Sequence, residues 1–263
     1  MGALFQFLSG CPWLQKIRIN SNESPQDITL DQVVSLESLV ELDYTCNPLG
    51  RILPHLSLPR LQLLQVSSSF EPGQVQQLTD VLPHGGHVYI AGTTEMSCYF
   101  NEHSQKVGLY GEATDGSPST FHFTASHALV NRFFDNTWIP FRRIEKLIVA
   151  CATAAAEFPI DIAVFENMTV LRTVSGNPRF TEGFLRLLYP DLEGRIPCRH
   201  LQEIQYPHKG PLRPLISLVR ERERAGNHLR CVRLSDTWGV SAQDLVEKLK
   251  ENVGEVRIEK WEV

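Results

Sequence analysis

The feature that most narrows what this chain can become is a short recurring pattern: an apolar residue, two variable residues, a second apolar residue, one variable residue and a third apolar residue. It occurs at residues 14–19, 39–44 and 61–66, and again at 144–149, 201–206, 229–234 and 253–258. Residues 171–176 keep the first two apolar positions, Leu171 and Val174, and lack the third. With 42% hydrophobic residues, roughly one window in thirteen matches such a pattern by chance, so the match alone decides little. The spacing decides more. First positions stand 25 and 22 residues apart early, then 27, 30, 28 and 24 apart from Ile144 onward. Chance matches would not keep this step.

What precedes the pattern strengthens it. Leu245, Val246 and Leu249 stand before the last copy, Leu212, Leu215, Ile216 and Val219 before the copy at 229, and Phe184, Leu185 and Leu188 before the copy at 201. Each set recurs at helical spacing and predicts an amphipathic helix of two or three turns. Pro12, Pro59, Pro140 and Pro197 stand two or four residues ahead of a first apolar position, where proline stops a helix and begins extended chain. Gly226 plays that part before Leu229, as a residue that tolerates positive φ.

The predicted unit is therefore helix, break and short strand, repeated about ten times. One such unit cannot bury its apolar face alone, so neighbours must stack. The expected fold class is α/β: residues 1–263 as a single monomeric solenoid of leucine-rich-repeat type, with a curved parallel sheet. Residues 85–134 depart from the pattern. Residues 87–92 are expected as one strand, followed by alternating runs at Met96–Cys98–Phe100 and Val107–Leu109–Gly111 and a third near Phe121 and Phe123. They predict a hairpin around residues 101–105 and either irregular repeats or a β insertion, with residues 115–118 a surface loop.

Because side chains alternate along a strand, the third and fifth positions of each copy point away from the core, onto the concave face. They are Lys16, Arg18, Glu41, Asp43, Gln65, Lys146, Glu203, Gln205, Arg233 and Arg257, and they are the candidate partner-contacting residues.

The phrases LSGCPWLQKIRI at residues 8–19 and IPCRHLQEIQY at residues 196–206 resemble the Cys-Pro-x-Leu turn into a repeat strand found in the leucine-rich-repeat regions of fungal-type F-box proteins. The resemblance spans nearly the whole chain. It implies a non-catalytic protein–protein interaction module, the substrate-recognition part of an F-box (SCF) ubiquitin-ligase receptor. It also implies a helical F-box ahead of the repeats, whereas only ten residues stand before Cys11 and Pro12. The ligase adaptor is accordingly an expected partner only where an F-box lies upstream. The alternatives are a stand-alone repeat scaffold or inhibitor unrelated to ubiquitin, and, more remotely, a divergent enzyme.

Charge and motifs bear on the other classes. A net charge of −5 and a pI near 6.0 disfavour nucleic acid, whose binders carry a basic excess. No apolar run approaches the ~20 residues of a membrane span. Residues 4–8 lack the basic flank and length of a signal peptide. The six cysteines are dispersed without a CxxC, which predicts buried thiols in a reducing compartment, cytoplasmic or nuclear, with distant disulfide pairs left open. Motifs with a known catalytic mechanism are absent, so neither enzyme activity nor a cofactor is expected. His84 and His87 have a metal-like spacing but no third ligand nearby, and are expected in a polar loop. Arg220, Glu221, Arg222, Glu223 and Arg224 are expected to form a solvated helix face. Residues 1–131 carry 5 basic and 12 acidic side chains, against 20 and 18 in residues 132–263, a gradient that can orient a charged partner.

Overall fold

The structure, a computed structural model, describes residues 2–21, 33–46, 52–68, 93–101, 106–112, 120–126, 141–151, 162–174, 178–207, 212–238 and 243–261. The expectations for residues 87–92, for the loop at 115–118 and for His84 and His87 lie outside the described residues. The chain is mixed α/β, with few helices and strands that pair mainly in parallel. Its first elements are α1 (Gly2–Ser9), β1 (Lys16–Ser21), β2 (Val34–Ser35), β3 (Glu41–Cys46), β4 (Leu56–Ser57), β5 (Leu63–Ser68), β6 (Glu95–Asn101), β7 (Lys106–Glu112) and β8 (Thr120–Ser126). There follow β9 (Lys146–Cys151), β10 (Val170–Val174), α2 (Pro178–Arg186), β11 (Glu203–Tyr206), α3 (Leu212–Arg224), β12 (Cys231–Ser235), α4 (Gln243–Lys250) and β13 (Glu255–Glu259). Among the described residues no barrel closes, and no helix is long and apolar enough to cross a membrane.

The chain divides into two compact units: Met1–Thr94 with Lys106–Pro140, and Glu95–Gln105 with Phe141–Val263. In the first, β1, β3, β5 and β8 run parallel in that order, and β7 pairs antiparallel with β8. In the second, β6, β9, β10, β11, β12 and β13 are parallel neighbours in that order.

Register explains the recurring pattern. Its three apolar positions are Leu39, Leu42 and Tyr44 in one copy and Leu201, Ile204 and Tyr206 in another, and all are buried. The structure adds a fourth apolar position three residues before the first. The N–H of Leu39 donates to the carbonyl of Leu36, and the same turn joins Leu61 to Leu58, Ile144 to Phe141, Met168 to Phe165 and Leu201 to Cys198. Leu36, Leu58, Phe141, Phe165 and Cys198 are all buried. Pro12 and Pro59 lie inside such turns, between Cys11 and Leu14 and between Leu58 and Leu61, where a fixed φ favours the bend. A helix does not lead into every strand: β4 follows a 3-10 turn at Leu53–His55 and pairs in parallel with β2.

A second signature ties neighbouring copies together. The carbonyl of Gln15 accepts from the N–H of both Val40 and Glu41. That of Val40 accepts from Gln62 and Leu63, that of Glu145 from Thr169 and Val170, that of Thr169 from Gln202 and Glu203, and that of Gln202 from Arg230 and Cys231. One carbonyl with two lone pairs satisfies two donors, so each strand is positioned by the copy before it.

This register corrects the copy at 171–176. Val170 pairs with Lys146 on one side and Glu203 on the other, so Leu171 holds the fourth place of the pattern, and Met168 holds the first. Thr173, 4% exposed, fills the last apolar place. Met in place of Leu and Thr in place of an aliphatic residue mask the copy in the sequence. Similarly, β6 enters its sheet with Thr93, Met96 and Cys98 in the three inward places, all fully buried.

Helices α2, α3 and α4 stand where their apolar spacing predicts. One member of the charged run departs from expectation. Arg222 is wholly buried, because it continues the face of Leu215, Leu218 and Val219 at helical spacing, while Arg220 and Arg224 are exposed. Helix α3 ends in a Schellman motif. Asn227 N–H donates to the Arg222 carbonyl and Gly226 N–H to that of Glu223, with Gly226 at φ +76°. Nothing lies within 4 Å of a Cβ built on Gly226, so Gly226→Ala meets conformational strain alone. It should lower the denaturation midpoint by an amount equivalent to about 1 kcal/mol.

Candidate functional site

Strand alternation places the third and fifth positions of the pattern on one face of each sheet. In the first unit the register aligns Lys16 with Glu41, and Arg18, Asp43, Gln65 and His122 in a row. Lys16 Nζ lies 2.6 Å from Glu41 Oε2, and Arg18 Nε donates to Asp43 Oδ2 at 2.5 Å. Lys16 and Arg18 remain largely exposed, whereas Asp43 is mostly buried and its Oδ1 has no hydrogen-bond partner.

His122 is half-buried. Burial holds its imidazole below the ordinary value of 6.5, opposed in part by the negative charge of Asp43. The folded state therefore takes up a proton at lower pH than the unfolded chain, and His122 contributes stability that is present above 6.5 and lost as pH falls. The expected result is a chemical-denaturation midpoint that declines as pH is lowered from 6.5. His122→Gln should flatten that decline, and an unchanged profile in the variant would remove this explanation.

In the second unit one row aligns Glu95, Lys146, Val170, Glu203, Cys231 and Glu255, and a second aligns Ser97, Ile148, Arg172, Gln205, Arg233 and Arg257. Lys146 Nζ donates to both oxygens of Glu95 at 2.9 Å. Arg233 is held from both sides. Its Nη2 donates to Glu203 Oε2 at 3.2 Å and its Nη1 to Glu259 Oε1 at 3.5 Å. Its Nε lies 2.8 Å from Glu203 Oε1 but is not aimed at it. Burial disfavours the charge on Arg233, yet Glu203 and Glu259 outweigh that and raise its pKa. Gln205 Nε2 donates to Glu203 Oε1 at 2.6 Å, and Arg257 Nη2 to Glu255 Oε2 at 2.8 Å. That last hydrogen bond holds the Glu255 carboxyl below its ordinary range.

A groove of about 510 Å³ crosses this face over the N-terminal ends of β10 to β13. Glu203, Cys231 and Glu255 lie along it, with Arg230, Arg233 and Arg257 as its cations. Cys231 is 8% exposed. Burial first, and then the Glu203 charge, push its thiol up, so it is a protonated and weak nucleophile near neutral pH. At the groove's end a Cβ on Gly254 would stand 2.9 Å from the Arg230 carbonyl oxygen; the close approach of β13 to β12 requires glycine there.

The ten sequence-predicted positions thus fall into two sets. Lys16, Arg18, Glu41, Asp43 and Gln65 share the first unit's face, and Lys146, Glu203, Gln205, Arg233 and Arg257 share the second's. The structure adds residues to both. Glu95 comes with the placement of β6, and Arg172 moves from the second to the fifth place of its copy once Met168 is the first. Glu255 occupies a third position that the same alternation rule marks. Trp261 lies beyond the last copy, and only the structure brings its ring to 4.9 Å from the Arg172 guanidinium carbon. Among the described residues no three His, Cys, Asp or Glu side chains gather to hold a metal ion. Comparison with known proteins finds no matching family, no matching curated sequence and no matching solved structure.

Proposed function

We propose that the chain is a non-catalytic protein-binding module of leucine-rich-repeat type, whose stacked copies form a solenoid that presents the sheet faces to a polypeptide partner. The observation that carries this reading is the second unit's face: two in-register rows on five neighbouring strands, polar but for Ile148, Val170 and Cys231, with paired charges held part-buried across them. Ordering long charged side chains across strands contributes little stability by itself, and it suits a surface that reads another surface by charge pairing. The low reactivity of Cys231 and the absence of recognised catalytic motifs fit binding better than chemistry. By its resemblance to the repeats of F-box receptors, the partner is a substrate presented for ubiquitination wherever this chain is joined to an F-box.

Position-resolved cross-linking tests the reading. A photoreactive residue placed at Gln205 or at Arg257 in the full chain should capture the same discrete protein, and excess unmodified chain should compete it away. The same residue at Arg213 or Lys248, exposed on the helices, should not. Equal capture from face and helix positions would overturn the proposal.

A further inference from the structure

One cation in the two outward rows of the second unit is treated differently from the other three. Lys146, Arg233 and Arg257 each meet a carboxylate. Arg172 meets none among the described residues. Its row neighbours are Ile148 on β9 and Gln205 on β11, and the Gln205 amide already donates to Glu203. Its guanidinium carbon instead lies over the Trp261 ring, 4.9 Å from the centroid, although β11, β12 and β13 intervene in the chain and in the sheet. Arg172 Nε and Trp261 Nε1 are both buried without a hydrogen-bond partner.

A guanidinium stacked on an indole keeps its in-plane N–H donors free at the edge. Buried donors without acceptors are unfavourable, and an oxyanion that accepts from them removes that penalty. Resting on the binding-module reading, we infer that Arg172 and Trp261 form the anchor for a carboxylate side chain, aspartate or glutamate, of a polypeptide partner laid across β10 to β13. The surrounding charge selects carboxylate over phosphate. Glu203, Glu255 and Glu259 share this face, and a phosphate brings up to two negative charges among them where a carboxylate brings one.

The test uses the full chain labelled with ¹⁵N. It follows the indole Nε1–H signal assigned by Trp261→Phe and the guanidinium Nε–H signal assigned by Arg172→Lys. The probes are three blocked peptides at constant ionic strength: alternating glycine and glutamate, its glutamine counterpart, and its phosphoserine counterpart. The glutamate peptide should shift both signals saturably and the glutamine peptide neither, with the phosphoserine peptide weaker than glutamate. Arg172→Gln should weaken glutamate-peptide affinity about tenfold or more. Arg172→Lys, which keeps the charge without the planar fork, should fall between, and a native-like methyl spectrum shows that each variant is folded. No shift with glutamate, an equal shift with glutamine, tighter binding of phosphoserine, or undiminished affinity in Arg172→Gln would overturn the inference. If these fail while Gln205 and Arg257 still cross-link one discrete partner, the anchor is wrong and the module stands; if the cross-links fail as well, both fall.

Discussion

Replacing Arg222 by alanine is expected to destabilise the second unit by about 3–5 kcal/mol, the scale of leaving several buried acceptors without a donor. The guanidinium is fully enclosed. Its Nη1 donates to the carbonyls of Pro197 at 2.9 Å and Leu188 at 3.2 Å, and its Nη2 to the Cys198 carbonyl at 2.9 Å and to Asn227 Oδ1. These acceptors belong to the turn after α2, to the turn before β11 and to the end of α3, so a single side chain satisfies backbone that the packing hides from water. Cys198 itself sits at φ +49°, and its Sγ donates to the Ile162 carbonyl. The turn is thus tied on both sides. Burial lowers the Arg222 pKa to about 10, which leaves the group charged near neutral pH. Protons leave the folded state first only above about 10, so Arg222 adds no pH dependence below that value. Arg222→Met separates two causes. It keeps most of the volume and leaves the acceptors unmet, so its loss should approach that of alanine. A nearly neutral methionine variant, measured by the guanidinium-chloride midpoint, would show that packing volume matters here and that the carbonyls do not.

Truncating Met168 should destabilise the same unit by about 2–5 kcal/mol, as for other large side chains removed from a close-packed interior. Met168 is fully buried, as is Leu171, and both fill inward places of one copy. Leu171→Ala should therefore fall in the same range. Arg172→Ala, one residue further on and on the outward face, should cost less, about 1–2 kcal/mol, the scale of a partly buried cation–π pair. The contrast between adjacent residues follows from the period of two along β10. Were Leu171 the first position of its copy, Val174 would occupy the second apolar place and Thr173, 4% exposed in the structure, would stand in the outward third place.

Where the sequence is explicit and where it is silent follows from what each residue must do. Leu14, Leu39, Leu61, Leu201 and Leu229 announce their strands because an aliphatic side chain in that place has one purpose, and the structure puts a strand directly after each. Met168 and Thr173 perform the same task with residues that also occur in loops, so the copy they frame is displaced when read by pattern alone. The buried position at Leu36, Leu58 and Phe165 lies beyond the six-residue pattern, though its spacing of three was there to be found. Arg222 hides behind its charge: only the acceptors of a distant turn make an enclosed guanidinium favourable, and no local pattern records them. The antiparallel pairing of β7 with β8 likewise depends on partners chosen in three dimensions. On the candidate site, alternation finds the outward places, yet the contacts that give them character, such as Glu203 with Arg233 and Arg172 with Trp261, join residues 30 and 89 positions apart.

The carbonyl shared by two donors of the following copy has a consequence for how such a chain can be edited. In these five joins a strand takes its place from one oxygen of its predecessor, and the spacing between copies is free to vary, from 22 residues between Leu39 and Leu61 to 33 between Met168 and Leu201. Length is thereby uncoupled from alignment. Cutting at equivalent residues, so that Gln202 is followed directly by what comes after Arg230, removes one whole period and returns Thr169 a partner with the same two donors. A protein assembled on this rule can lengthen, shorten or exchange its modules while the join itself stays the same.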